Sequence, residues 1–236
     1  MSASGFRAYA HRGGAQEAPE NSITAFQRAV DLGFEYLETD VRPTRDGVAV
    51  LHHDATLDRT TDTRGPVRER SWADLAQVRL PDGSSPLRLE ELLEAAPDSH
   101  ITVDAKEPGS VAAIADAVMR AGAHDRVCVT SFSRSRLTQL RGLLPGVESG
   151  AHPWEVMRLR WRGGPLPRVS RVQIPIRAFG VTLAEPGFLR RAHERGIAVD
   201  VWTVDDPGLM CQLLDLGVDG IMTDAPSVLR QVLDDR

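Results

Sequence analysis

Residues 6–26 read FRAYAHRGGAQEAPENSITAF, and they carry an imidazole and a guanidinium, His11 and Arg12, out of a short apolar run into Gly13-Gly14. A second histidine, His53, closes the segment VRPTRDGVAVLHHD at 41–54, one residue before its final aspartate. Three carboxylates sit in strand-like runs: Glu38 and Asp40 in YLETDV, Asp104 in ITVDAK with Lys106 two residues on. Two imidazoles titrating near neutrality can serve as base and acid. Arg12 and Lys106 offer the positive charge that a phosphoryl group demands. Carboxylates crowded at one mouth repel each other and rise in pKa unless a cation sits among them. Oxygen donors without a soft ligand suit Mg²⁺ or Ca²⁺. Taken singly, Glu38 and Asp40 read equally well as a solvated strand face paired with arginines, and His11 as an ordinary strand-end histidine. The combination points to metal-assisted chemistry on a phosphate ester.

Such residues need a scaffold that brings distant positions to one place. Strand-like runs recur at 7–11, 36–41, 101–106, 126–132, 147–152, 171–176, 197–204 and 219–224. Segments with apolar residues at helical spacing separate most of them, among them NSITAFQRAVDLG, SVAAIADAVMRAG, SRSRLTQLRGLLPG, EPGFLRRAHERG and PGLMCQLLDLG. Several of these end in glycine, the residue a left-handed helix cap prefers. Eight strands with helical crossovers in 236 residues predict an α/β fold, a single (β/α)8 TIM barrel spanning 1–236. An open doubly wound sheet would call for a G-x-G-x-x-G turn after the first strand, and none follows. In a barrel the carboxyl ends of the strands surround one site. That rim receives His11-Arg12, Glu38 and Asp40, Asp104 and Lys106, then Trp202-Thr203 and Asp224.

One segment, 41–88, breaks the alternation. TRDG is a turn signal and VAVLH reads as a returning strand, so a short hairpin is expected. Pivoting on Arg45-Asp46-Gly47, it would set Asp40 opposite His53 and turn His52 the other way, into a structural role. Residues 55–88 then form an irregular excursion that can shape a pocket. The stretch HPWEVMRLRWRGGPLP at 152–167 mixes arginines with Trp154 and Trp161. It reads as an amphipathic helix packed on the barrel, or alternatively as a surface for lipid.

Composition narrows the class. With 42% hydrophobic and 26% charged residues and a net charge of −5, a broadly basic surface for nucleic acid is excluded. The start MSASGFRAYA is too short and polar for a signal peptide, and no apolar run spans a bilayer. Cys128 and Cys211 have no neighbours at metal-ligand spacing and read as free thiols, so a cytoplasmic location without stable membrane insertion is expected.

The fragments AHRGG, PENS, ETDV, HHDATLDRTT, RLEELL, VDAK, VWTVDD and LGVDGIMTDAP follow one another from near the start to near the end of the chain. In that order and spacing the chain resembles the glycerophosphodiester phosphodiesterases, a branch of the phosphatidylinositol-phospholipase-C-like barrels. The resemblance implies metal-dependent hydrolysis of a small-molecule glycerophosphodiester to sn-glycerol 3-phosphate and an alcohol. It makes His11 and His53 the acid–base pair, Arg12 and Lys106 the phosphate contacts, and Glu38, Asp40 and Asp104 the ligands of one divalent cation, Mg²⁺ or Ca²⁺. Trp202 corresponds to an apolar wall beside the substrate, reading equally well as plain core packing, and Asn21 either fixes the loop after Gly14, the favoured role, or reaches the site. Asp104 departs from the family, which more often carries Glu there; the shorter side chain reaches less far and bears on which ion is held. A nearby alternative is a lysophospholipase D acting on single-chain lipids. A non-catalytic phosphodiester-binding barrel is a third, disfavoured because no member of the constellation is missing. Head-group preference and oligomeric state stay open.

Overall fold

The computed structural model describes residues 5–161, 166, 169–178 and 180–236. Eight parallel strands line up as one sheet: β1 (Arg7–His11), β2 (Tyr36–Pro43), β4 (His100–Ala105), β5 (Val127–Thr130), β6 (Glu148–Ser149), β7 (Arg171–Pro175), β10 (Ala198–Trp202) and β11 (Gly220–Thr223). Their order is β6-β5-β4-β2-β1-β11-β10-β7, with β3 (Ala49–Leu51) added antiparallel to β2. The sheet curls into a nearly closed barrel with helices between its strands, the predicted TIM architecture. All eight expected strands are present. β6 is the most trimmed, two residues of the expected 147–152.

Helices α1 (Ile23–Asp31), α4 (Ser110–Arg120), α5 (Arg134–Leu143), α6 (Pro153–Trp161), α7 (Pro186–His193), α8 (Pro207–Leu216) and α9 (Pro226–Asp234) follow strands and cover the sheet. Their starts are written locally: Ser22 caps α1 through the Ala25 N–H, and Asp206 caps α8 ahead of Pro207. A continuous apolar core joins Leu37, Val103, Val129, Val172, Val199 and Ile221 of the strands to Phe26, Ile114, Leu140 and Phe188 of the helices. Both faces of a parallel sheet are buried, which is why these strands read as near-continuous apolar runs.

The 55–88 excursion has its own small core. Val50, Leu57, Val67, Leu75 and Val78 cluster with Trp72 around a 3₁₀ turn (Val67–Glu69) and α2 (Trp72–Leu75), before α3 (Leu89–Ala95) returns to the barrel. A small pair of strands, β8 (Arg177–Ala178) and β9 (Val181–Thr182), follows β7.

The hairpin differs from expectation by one residue. Val41 pairs with Leu51 and Pro43 with Ala49, and the His52 N–H donates to the Asp40 carbonyl at 2.9 Å. Asp40 therefore stands opposite His52, not His53. Pairing ends at Leu51, so the pleat no longer dictates where the two histidines point. His52 is buried, with Nε2 2.9 Å from the Thr56 carbonyl, and His53 turns to the barrel mouth. The structural reading of His52 follows from this contact.

Arg12, Gly13 and Gly14 run through the left-handed region in succession, at φ 52°, 83° and 104°. A Cβ on Gly13 would lie 2.7 Å from the Ala25 Cβ, and one on Gly14 2.6 Å from Pro226. The glycines thus admit α1 and α9 against the turn. Gly13→Ala should cost about 1–3 kcal/mol in chemical denaturation, because both the dihedral and the helix contact oppose a side chain.

Near the strand starts, away from the rim, a charged cluster is sealed inside. Asp200 is fully buried, accepting from Arg7 at 2.6 Å and from the Tyr9 hydroxyl at 2.8 Å, while Arg171 donates to that hydroxyl. Burial raises the Asp200 carboxyl, opposed by the charges of Arg7 and Arg171.

Candidate active site

Register builds the site. His11, the last residue of β1, pairs with Glu38 of β2, and Asp40 pairs with Asp104 of β4. Glu38 and Asp40 are two apart on one strand and share its inner face. The mouth at the carboxyl ends of the strands is a cavity of about 420 Å³. Of the residues expected there, His11, Arg12, Glu38, Asp40, His53, Asp104, Lys106, Trp202 and Thr203 line it, whereas Asp224 is not in the lining and instead backs His11.

Each imidazole has a carboxylate on Nδ1. His11 Nδ1 lies 2.7 Å from Asp224 Oδ1, leaving Nε2 3.7 Å from Glu38 Oε2. Burial works to lower the His11 pKa, but Glu38 and Asp224 outweigh it and raise the value above the usual one. His53 Nδ1 lies 2.7 Å from Asp54 Oδ1. An N–H on Nδ1 donating to a carboxylate fixes the tautomer and leaves Nε2 to exchange a proton. Arg42 forks onto the His53 carbonyl at 2.8 and 3.0 Å and is itself paired with Glu107, which pins the backbone under this imidazole.

The acids are buried and held by two cations. Lys106 Nζ lies 2.6 Å from Asp40 and 2.7 Å from Asp104, and Arg12 Nε lies 3.0 Å from Asp40 Oδ2. For Asp40, burial opposes ionisation, yet Lys106 and Arg12 bring its pKa below the ordinary value. Burial raises Asp104 despite Lys106. Burial, then the charge of Asp40, pushes Glu38 up to about 7.

Do these donors fit a divalent ion? Their chemistry does: three carboxylates and no soft ligand. The buried Asp40 Oδ2 accepts no hydrogen bond, although Arg12 is close, so it has acceptor capacity to spare. The elevated Glu38 marks a place where added positive charge is favourable. As placed, no three His, Cys, Asp or Glu side chains among the described residues converge on one ion-sized point. The Lys106 ammonium stands between Asp40 and Asp104.

Four supporting residues were not given roles by sequence reasoning. Glu20 accepts two bonds from Arg59 at 2.7 and 2.8 Å and one from Arg12 at 3.2 Å. Arg59 also donates to Asp54 at 2.6 Å. A continuous run, Arg12–Glu20–Arg59–Asp54–His53, therefore ties the cation beside one imidazole to the carboxylate behind the other. Asp224 completes the set under His11. The signal was in plain view, since Glu20 lies in PENS and Asp54 and Arg59 in HHDATLDRTT. Asn21 lies outside the cavity lining; its backbone N–H donates to the Arg12 carbonyl, and its side chain accepts from Thr39.

Burial disfavours ionised Glu20, but the hydrogen bond from Arg59 and the charge of Arg12 lower its pKa below the usual 4.5. Because the folded value lies below the unfolded one, this stabilisation is complete above the unfolded value and vanishes as pH falls through the lowered one. Glu20→Gln should lose about 1–3 kcal/mol at neutral pH and less in acid, measured by urea unfolding at both.

Trp202 meets Phe132 edge-on at 5.9 Å between ring centroids, with the Lys106 ammonium 6.0 Å from the Phe132 ring centroid, and Ile174, Leu183 and Met157 add further apolar lining. The cavity thus combines cationic and acidic groups with apolar lining. The helix expected within 152–167 is α6, buried through Val156, Met157 and Leu159 with Trp154 and Trp161 exposed; residues 162–165 and 167 lie outside the described residues.

Comparison with known proteins agrees with this geometry. The model of the glycerophosphoryl diester phosphodiesterase family matches residues 11–228. A probable glycerophosphodiester phosphodiesterase 2 of Mycobacterium tuberculosis is 40% identical over 96% of this chain and 90% of its own length. A lysophospholipase D of Rattus norvegicus is 27% identical over 96% of this chain and 86% of its own. The crystal structure of a glycerophosphodiester phosphodiesterase from Agrobacterium tumefaciens superposes with a TM-score of 0.84 at 25% identity, covering 97% of this chain and 99% of that one. With both imidazoles, both cations and all three acids at one barrel mouth, the chain belongs to the glycerophosphoryl diester phosphodiesterase family.

Proposed function

We propose that this enzyme hydrolyses glycerophosphodiesters to sn-glycerol 3-phosphate and a free alcohol, with His11 and His53 exchanging the protons. One observation carries the reading: two imidazoles, each backed by a carboxylate on Nδ1, line the same cavity as Arg12, Lys106 and three buried acids. One Nε2 takes the proton of the attacking oxygen, from water or from the neighbouring glycerol hydroxyl. The other gives a proton to the departing alkoxide as its P–O bond breaks. Arg12 and Lys106 face the phosphoryl oxygens, whose spread negative charge they offset. The Phe132–Trp202 wall shields the leaving alcohol from water. A divalent cation, Mg²⁺ or Ca²⁺, held by Glu38, Asp40 and Asp104 supplies Lewis-acid polarisation of a phosphoryl oxygen when bound. The 41–88 segment belongs to the catalytic unit, since it contributes His53 and its partners. Cys128 is free and buried, and burial pushes its thiol up to about 12, so it takes no part in the chemistry.

Purified protein given glycerophosphocholine should release sn-glycerol 3-phosphate. Dialysis against EDTA should lower that rate by about a hundredfold or more, and adding back Mg²⁺ or Ca²⁺ singly should restore it. Undiminished turnover after chelation would remove the ion from the mechanism. Failure of any diester in a head-group panel to react would leave only a binding barrel.

The lysophospholipase D reading has one observation in its favour, the apolar lining of the cavity. Lysophosphatidylcholine in the same panel decides between the two.

A further inference from the structure

Strand pairing places most of the site, but two of its members escape it. His53 lies two residues beyond Leu51, the last paired residue of β3. Arg12 leaves β1 through a left-handed backbone at φ 52°, where the pleat no longer directs the side chain. Each of the two rests on a carboxylate instead: His53 Nδ1 on Asp54 Oδ1 at 2.7 Å, and Arg12 Nη1 on Glu20 Oε1 at 3.2 Å. One guanidinium holds both of those carboxylates. Arg59 donates from Nε to Asp54 Oδ2 at 2.6 Å, and from Nη1 and Nη2 to the two oxygens of Glu20 at 2.7 and 2.8 Å. Its hydrogen bond also lowers the Asp54 carboxyl pKa, which keeps Asp54 an acceptor for the imidazole. Arg59 itself is not among the residues that line the cavity.

The Arg59 side chain is half-exposed, and exposed ion pairs contribute little to stability. What a planar fork does contribute is direction, because its donors lie at fixed angles to one another. We propose that Arg59 is a positioning residue that holds His53, through Asp54, and Arg12, through Glu20, in one fixed geometry at the cavity mouth. The proposal rests on the proton-transfer and phosphate-contact roles assigned above to those two residues. Without Arg59, one oxygen of Asp54 is released and the carboxylate can swing together with the imidazole it orients. Glu20 then keeps Arg12 as a partner but loses its own anchor. Turnover should fall through His53, and substrate affinity through Arg12.

The test is steady-state kinetics on glycerophosphocholine with the full chain. Arg59→Ala should lower kcat by about tenfold to a hundredfold, the cost of a small misplacement of a reacting group, and should raise KM as well. Arg59→Lys should stay close to Arg59→Ala, since one ammonium cannot fork onto Glu20 and reach Asp54 together. Guanidinium added to Arg59→Ala below its unfolding range should restore part of the rate. Arg59→Ala combined with Asp54→Asn should lose no more kcat than the worse single variant, because both act along one path. A merely structural role predicts otherwise: a smaller active fraction at unchanged KM, no rescue by guanidinium, and losses that add in full. Any of those results, or wild-type kcat and KM in Arg59→Ala, overturns the proposal. Nitrogen NMR shifts of the neutral His53 ring give a readout that needs no turnover. Wild type should show the Nδ1–H tautomer and Arg59→Ala a mixture of both. Should the wild type hydrolyse no diester, that tautomer change would uphold the positioning while the catalytic reading falls; an unchanged ring would sink the positioning.

Discussion

Alanine at His53 is expected to lower kcat by about 10²–10⁴, with a similar loss for His11→Ala, in steady-state assays on glycerophosphocholine. The size follows from the role: a positioned imidazole that moves a proton in the transition state is worth that factor, and each of these has its Nδ1 anchored by a carboxylate. The two substitutions should act chiefly on kcat, since the proposed function assigns the phosphate charge to Arg12 and Lys106. His52→Ala is the control. Its imidazole is buried on the Thr56 carbonyl, and burial lowers its pKa, so its removal should cost stability with little change in kcat. Full turnover by folded His53→Ala would show that a different group protonates the leaving alcohol. Asp54→Asn should fall between, because the imidazole stays while its orientation and tautomer loosen. A pH–rate profile separates this from simple misfolding, since a merely destabilised enzyme keeps its wild-type profile.

The second large effect lies at the opposite end of the barrel. Asp200→Ala should destabilise the protein by about 3–5 kcal/mol, because it strands Arg7 and the Tyr9 hydroxyl in the interior without their acceptor. For a chain of this size that is a fall of roughly 10 °C in Tm, read by calorimetry. Turnover per folded molecule should hold at temperatures where the variant stays folded, as no residue of the cluster lines the cavity. Asp200→Asn retains an acceptor for Tyr9 and should lose less. Stability of Asp200→Ala within about 1 kcal/mol of wild type would mean that the arginines find other partners or water.

The barrel and the membership of its rim were legible because both rest on local pattern. Apolar runs alternating with helical spacing identify a parallel sheet covered by crossovers, and a residue at the end of such a run is carried to the mouth. His11, Glu38, Asp40 and Asp104 needed nothing further to be placed. Lys106 just follows its strand, and Trp202 ends one. What the linear chain did not reveal were the contacts made across loops. The hairpin register came out one residue away, because a strand of three residues leaves the pairing to its turn, and the two histidines lie past its end. Asp224 reaches His11 only when β11 pairs with β1 to close that side of the barrel.

The run from Arg12 through Glu20 and Arg59 to His53 exists only once the 55–88 excursion folds over the mouth on its own small core. Lys106 between two of the acids is likewise a matter of side-chain placement in a crowded, poorly solvated cavity. Sequence by itself determined the fold and which groups line the cavity at the barrel mouth, since strand position and pleat are short-range properties of the backbone. Tertiary structure alone decided which carboxylate orients which imidazole, because hydrogen bonds between distant segments depend on distances that local pattern does not encode.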